Sequence, residues 1–191
     1  MSNFLDYLGL ESEKFTGKGF NNSTQYVFDL KYKSIMTNRK ENIKFEISLR
    51  QPPMKSPTIV NIKHFYQDPF SGKDLFPQGK ILALSLEECV AEKLKAAISR
   101  RTPAIRDFYD LGHFIKRKFD FRNPKFLKMV DDKLLLDECE KDYSVNLGLT
   151  ALEIQELKRS VSTDLIPMIR IDEEFDLESI LEEFNRMFKK K

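Results

Sequence analysis

The segment from Ser85 to Leu111, SLEECVAEKLKAAISRRTPAIRDFYDL, constrains the fold most, because its apolar and charged residues recur at helical spacings. Stepping about 100° per residue along a helix over 86–101 gives one polar side: Glu88, Glu92, Lys95 and Ser99. The other side carries an apolar stripe: Leu86, Val90, Leu94 and Ala97. Lys93 falls inside the stripe, and a buried ammonium is costly unless an anion meets it. Small alanines beside Lys93 leave room for such an anion, which indicates a binding site.

A second helix is predicted to begin at Thr102-Pro103, since threonine caps helices and proline is favoured at the first helical position. One face of this helix is apolar and the opposite face carries Arg106, Asp107, Asp110 and His113. Asp107 and Asp110 are neighbours on the helix surface, and paired carboxylates suit a divalent metal or a proton acceptor. The plainer interpretation is an exposed ion pair, such as Arg106 with Asp110, and a lysine that extends to solvent.

The segment from Asn42 to Arg50 alternates apolar and polar residues, which is the period of a strand with one buried face. Phe45, Ile47 and Leu49 are expected on the buried face, and Glu46 lies on the polar face. Further strands are predicted at 26–35, 59–65 and 81–84, separated by connectors rich in proline, glycine and polar residues. The short run Gly17-Lys18-Gly19 lacks the flanking strand and helix of a phosphate loop and is interpreted as a turn.

After Asp120 the pattern becomes helical, with apolar residues at intervals of three and four around Leu127, Leu157 and Leu177. Asn123-Pro124 marks the start of the first of these helices, and Pro167 is expected to end the second. Three helices packed as a small bundle are therefore predicted to follow the part of the chain that contains the strands.

Two segments resemble a known family. The run A-E-K-L-x-A, a following arginine and R-D-x-Y-D-L look like the second half of the AbiEii/AbiGii toxin family of nucleotidyltransferases, known from abortive-infection toxin–antitoxin pairs. Upstream, the segment from Tyr26 to Pro53 is similar to the family's central strands. The resemblance implies an α+β fold: a nucleotidyltransferase-like mixed sheet with flanking helices over residues 1–119, N-terminally incomplete, and a C-terminal helical bundle over residues 120–191.

The resemblance also implies roles in transferring a nucleotidyl group from a nucleoside triphosphate to an acceptor such as tRNA. Lys93 would hold triphosphate oxygens, Arg100 and Arg106 would assist with phosphate charge, and Asp107 or Asp110 would position or deprotonate the acceptor. In polymerase-type transferases a carboxylate on the central strand completes the metal site, which implies that Glu46 binds magnesium. An ordinary exposed glutamate fits the strand pattern equally well.

The family's G-S and D-x-D motifs, which deliver the triphosphate and two metal ligands, have no counterpart before Thr24. Either the native protein begins further upstream, or this copy is degenerate and inactive, because in-line phosphoryl transfer needs metal ions. A catalytically dead domain that binds a partner, such as a cognate antitoxin, is therefore the alternative. A third hypothesis is a metal-independent HEPN-like ribonuclease, because Arg106 and His113 resemble the arginine and histidine of the HEPN signature. Those nucleases are all-helical, so the strand-like first hundred residues argue against it.

Composition limits the remaining classes. With 191 residues, 41% hydrophobic and 32% charged, a soluble chain with a proper core is expected. No apolar run approaches the roughly 20 residues that span a bilayer. Cys89 and Cys139 are too few for a disulfide framework, which favours the cytoplasm. The net charge of +2 gives no global case for nucleic-acid binding, although basic residues are grouped around the predicted site.

Overall fold

The computed structural model describes residues 16–20, 25–34, 37–49, 51–62, 67–75 and 78–188. The chain divides into two compact units, Met1–Pro52 and Pro53–Lys191. In the described residues, the first unit contains a three-stranded sheet, and the second contains a two-stranded sheet and five α-helices. The predicted α+β class is confirmed. The domain boundary predicted between residues 119 and 120 lies within the second unit and stays a prediction.

The first unit is an antiparallel sheet of β1 (Thr16–Phe20), β2 (Gln25–Lys33) and β3 (Lys40–Ser48), in that order. A tight turn joins β2 to β3, and in it the backbone amide of Asn38 donates to the carbonyl of Ser34 at 2.9 Å. Asn38 has a positive φ of 54°, which asparagine tolerates better than most residues. The two strands predicted in this part of the chain are confirmed, with their ends moved by a few residues.

Two predictions about the first unit are wrong. Gly17-Lys18-Gly19 is not a turn but the middle of β1, where pairing with β2 satisfies its backbone groups. The apolar face of β3 is not buried, since Phe45, Ile47 and Leu49 are 45%, 46% and 62% exposed. The reason is that the described part of this unit has a single layer, and a sheet face is buried only when a second layer packs on it.

The second unit begins with β4 (Thr58–Asn61) and β5 (Lys80–Ala83), which pair antiparallel. The helices that follow are α1 (Leu86–Ser99), α2 (Ile105–Lys116), α3 (Pro124–Leu136), α4 (Ala151–Ser160) and α5 (Leu177–Phe188). A π-helical turn, Val161–Leu165, and a 3₁₀ turn, Ile166–Met168, follow α4. The three helices predicted after Asp120 are confirmed. None of the described helices is long and apolar enough to cross a membrane.

Local sequence explains where α3 begins but not where α2 begins. The side chain of Asn123 accepts a hydrogen bond from the backbone amide of Lys125 at 2.9 Å, and Pro124 occupies the first turn, as predicted. In contrast, α2 begins at Ile105 after Ala104, whose side chain cannot cap it. The start predicted at Thr102-Pro103 is therefore too early, because tertiary packing rather than a cap sets this helix end.

Buried aromatic rings join the helices of the second unit. Phe121, Phe126 and Phe184 are each at most 1% exposed. The ring of Phe121 meets those of Phe184 and Phe126 edge-on, with centroids 5.1 Å and 5.8 Å apart. On α2, a Cβ at Gly112 would lie 2.6 Å from the Cδ1 of Ile180, so glycine allows α5 to approach closely. The ring contacts join the start of α3 to α5, and the close approach at Gly112 joins α2 to α5.

Candidate functional site

Helices α1 and α2 bring three of the predicted charged residues together. Lys93 on α1 places its Nζ 2.6 Å from Asp110 Oδ2 and 3.8 Å from Asp107 Oδ1, both on α2. The two aspartates reach the same lysine because residues three apart are neighbours on a helix surface. The side chain of Lys93 is 43% exposed, so the prediction that it lies within the buried stripe is wrong. Lys93 lies at the edge of that stripe, and its counter-ions are Asp107 and Asp110 of the same chain.

Asp107 is the buried member of this group. It is 3% exposed, although the sequence placed it on a polar helix face, because the end of α1 covers it with Arg100. Arg100 Nε lies 2.7 Å from Asp107 Oδ2, so the guanidinium and this buried oxygen form a close ion pair. The N–H of Nε is not aligned for a full hydrogen bond to Oδ2. The ion pair joins the end of α1 to α2.

A cleft of about 310 Å³ opens beside these charges. Its polar lining is Lys93, Arg100, Arg106, Asp107, Tyr109 and Asp110, and its apolar lining is Ala104, Leu165, Met168 and Ile169. The volume is at the lower end of the range for small-molecule sites. Because charged and apolar groups line one cleft, it suits a ligand that carries both phosphate groups and an apolar ring.

A larger cavity of about 590 Å³ is lined by residues of α2, of α5 and of the loop before α5. Of the residues that the sequence singled out, it contains His113 but none of Lys93, Arg100, Arg106, Asp107 and Asp110. Four carboxylates line it, from Glu173, Glu174, Asp176 and Glu183, with only Lys116 and His113 as possible counter-charges. Such an acidic lining repels a triphosphate, so the smaller cleft is the candidate site.

Glu46, the predicted metal ligand, lies on β3 in the first unit. Its side chain is 52% exposed, and its Oε1 lies 2.6 Å from Lys44 Nζ on the same strand. The predicted position on the polar face of the strand is therefore correct. Its role in metal binding stays a prediction.

The described residues do not by themselves form a magnesium site. Among them, no three carboxylate, histidine or cysteine side chains come close enough to hold a metal ion. The two aspartates of the cleft are already matched by cations, since Lys93 faces both and Arg100 faces Asp107. Their donor set therefore suits a network of internal ion pairs rather than a resident cation.

The sequence reasoning missed a buried ion pair on α1. Lys133 on α3 is 1% exposed, and its Nζ lies 3.0 Å from the Oε1 of Glu88, which is fully buried. The same ammonium donates to Glu92 at 2.6 Å. Glu88 also accepts the backbone amides of Met54 at 2.8 Å and Lys55 at 3.1 Å. This pair therefore ties α1 to α3 and to the segment that leads into β4.

Hydrogen bonding keeps both partners charged. Burial by itself raises the pKa of the Glu88 carboxyl, but hydrogen bonds from the Met54 amide and from Lys133 outweigh it, so the pKa lies below the ordinary 4.5. Burial lowers the pKa of Lys133, but hydrogen bonds to Glu92 and Glu88 raise it above the ordinary 10.5. The sequence does contain a signal for the burial of Lys133, since Lys133 follows the buried Phe126 by two helical turns. It contains no such signal for Glu88, because the partners of Glu88 are far away in the sequence.

Comparison with known proteins adds a family. A family model described as nucleotidyl transferase AbiEii toxin, type IV toxin–antitoxin system, matches residues 4–190. The crystal structure of a proposed nucleotidyltransferase from H. pylori is similar over 94% of this chain, with 16% sequence identity and a TM-score of 0.49. JHP933 from Helicobacter pylori is similar to the same degree. The chain spans 65% and 63% of the length of those two chains. None of the curated proteins matches it.

Proposed function

This chain belongs to the AbiEii family of nucleotidyl transferase toxins of type IV toxin–antitoxin systems, and we propose that it transfers a nucleotidyl group from a nucleoside triphosphate to an RNA acceptor such as tRNA. The observation that carries the proposal is the cleft in which three cations meet two carboxylates: Lys93, Arg100, Arg106, Asp107 and Asp110. Family membership supports the class of reaction. The cleft supports the choice of residues that would perform it.

Lys93 and the two arginines would bind the triphosphate. A guanidinium matches a phosphate with two parallel hydrogen bonds, and an ammonium acts as a point charge. Since Lys93 is 43% exposed, phosphate oxygens can reach its Nζ from solvent by replacing Asp110, which now lies 2.6 Å away. The apolar side chains of Leu165 and Met168 in the same cleft would contact the base or the ribose.

Asp107 or Asp110 would act on the acceptor side of the reaction. Asp107 is buried and paired with Arg100 at 2.7 Å, whereas the side chain of Asp110 is 36% exposed, so an attacking hydroxyl can reach Asp110 from solvent. In this role Asp110 would accept the hydrogen of the attacking hydroxyl, and Asp107 would hold Arg100 and Lys93 in place. The magnesium dependence and the role of Glu46 as its ligand are carried over from the family resemblance and remain part of the proposal.

Transfer of label from α-labelled nucleoside triphosphates to bulk tRNA tests the proposal. We expect magnesium-dependent labelling, and Lys93→Ala should reduce it by about tenfold or more, because a charged contact contributes about 1.5–3 kcal/mol. Lys128→Ala is the matched control, since Lys128 is an exposed lysine on α3 outside the cleft. Equal rates in the two variants would remove Lys93 from the mechanism. RNA cleavage that persists in EDTA would instead indicate the HEPN-like ribonuclease.

The second candidate is an inactive domain that binds a cognate antitoxin. It is favoured by the described residues, among which no three carboxylate, histidine or cysteine side chains come close enough to hold a metal ion. It predicts no label transfer at any magnesium concentration, together with a saturable complex in a pull-down with the antitoxin. Transfer activity in the isolated chain would exclude it.

A further inference from the structure

The segment that joins α2 to α3 carries a dense cluster of exposed cations. Residues 116–128, KRKFDFRNPKFLK, include six lysines and arginines and one aspartate. All six cations are exposed: Lys116, Arg117, Lys118, Arg122, Lys125 and Lys128. The whole chain has a net charge of only +2, so the rest of it is acidic on balance. We call residues 116–128 the basic connector, because positive charge is concentrated there.

Buried aromatic rings hold the backbone of the basic connector in place. Phe121 and Phe126 are each at most 1% exposed. The ring of Phe119 meets both of these rings edge-on, with centroids 5.0 Å apart in each pair. The backbone amide of Phe119 also donates to the carbonyl of Phe114 at 3.0 Å. The cations therefore project from a backbone that is already ordered, which reduces the conformational entropy lost when a ligand binds.

A cavity of about 440 Å³ lies beside the basic connector, and the cations that line it are Lys118, Arg122 and Arg186. The two carboxylates in the same lining have other partners. Asp120 Oδ1 accepts the backbone amide of Arg122 at 3.1 Å, and Glu183 pairs with Arg186. The side-chain charges of Lys118 and Arg122 are therefore available to an anion that enters the cavity from solvent.

We propose that the basic connector binds the sugar–phosphate backbone of the acceptor RNA, with Lys118 and Arg122 contacting its phosphates. The choice of RNA rests on the proposed transferase function. The surface itself favours a nucleic-acid backbone over a protein, because protein partners are usually anchored by apolar and aromatic side chains at the centre of the contact. In the basic connector the rings of Phe121 and Phe126 are buried, whereas the cations face solvent. A phosphate backbone is bound mainly through such charge.

The position of the basic connector at the end of α2 suits an acceptor whose end must reach the cleft. Arg106, Asp110 and Arg117 recur at intervals of four and seven residues, so their spacing places them along one face of the helix. Arg117 follows Asp110 by roughly 10 Å along the helix axis, at about 1.5 Å per residue. The acidic cavity opens on a different face of α2, with Gly112 and Lys116. An RNA strand held at the basic connector can therefore extend to the cleft along a face other than the acidic one.

Binding of labelled bulk tRNA, followed by fluorescence anisotropy without nucleoside triphosphate, tests the proposal. Lys118→Gln/Arg122→Gln should weaken binding by about fivefold or more, since it removes two exposed ion pairs to phosphate. The slope of log Kd against log salt concentration should decrease by about 1.4–1.8, because each phosphate contact contributes about 0.7–0.9. The matched control is Lys158→Gln/Arg159→Gln, which removes one lysine and one arginine from exposed positions on α4 and should change neither quantity.

A second variant repeats the test at other exposed positions of the basic connector. Arg117→Gln/Lys125→Gln also removes one arginine and one lysine and should weaken tRNA binding in the same direction. It keeps the test decisive if the first variant does not fold, which circular dichroism checks for each protein.

A native chain that does not bind tRNA would overturn the proposal, as would equal losses in the connector variants and the α4 control. Polyglutamate or phosphatidylserine vesicles bound as tightly as tRNA would also overturn it, since the ligand would then be an acidic protein or a lipid surface. The result is separable from transferase activity. Connector-dependent tRNA binding without label transfer would support the proposal and contradict the proposed function, whereas label transfer with unchanged tRNA binding in the connector variants would do the reverse.

Discussion

Replacing Lys133 with methionine should lower the free energy of unfolding by about 3 kcal/mol or more. The ammonium of Lys133 is 3.0 Å from Glu88, and both side chains are buried. Breaking a buried ion pair by removing one partner costs about 3–5 kcal/mol, because the other charge stays buried without compensation. The lower end applies here, since Glu88 keeps the backbone amides of Met54 and Lys55. Methionine preserves most of the packed volume, so the loss reports on charge rather than on a cavity.

Thermal and urea unfolding followed by circular dichroism measure this loss. For a chain of this size, about 3 kcal/mol corresponds to a decrease in Tm of roughly 6–12 °C. Lys128→Met is the matched control on the same helix, because Lys128 is 73% exposed and pairs with Asp132 at 3.0 Å. Surface pairs of this type contribute less than about 1 kcal/mol. If Lys133→Met and Lys128→Met destabilise the protein equally, the buried pair does not hold α1 and α3 together.

Two further predictions concern stability. The pKa of Glu88 is lowered in the folded state, so its contribution to the free energy of unfolding is present above its unfolded pKa and is lost as pH falls through the folded pKa. The pKa of Lys133 is raised in the folded state, so its contribution is lost as pH rises above 10.5 through the folded pKa. The free energy of unfolding, measured across pH, should show both losses. Glu88→Gln should reduce the loss of stability at acid pH, and an unchanged loss there would refute this. Asn123→Ala should cost about 1 kcal/mol by removing the cap of α3, whereas Asn123→Asp should retain it, as urea unfolding of both variants would show.

The cleft shows how far periodicity leads toward a site. Helical spacing and the family resemblance together identified Lys93, Arg100, Arg106, Asp107 and Asp110 as candidates, and all five line the same cleft in the structure. Spacing could not reveal that Lys93 would contact both aspartates, because a helical pattern specifies faces within one helix and not the contacts between two. It also could not reveal the apolar part of the lining, which comes from the turns after α4.

The sequence by itself determined the features that depend on residues within about one helical turn of each other. These are the existence of the helices, the start of α3 at Asn123, the buried face of α2 and the alternation along β3. Burial of charge was decided only by tertiary structure. Glu88 is buried because Met54 and Lys133, distant in the chain, supply its hydrogen bonds, and Asp107 because Arg100 covers it. A charge enters a protein interior only where partners from other elements replace water, and no local pattern records where those partners will be.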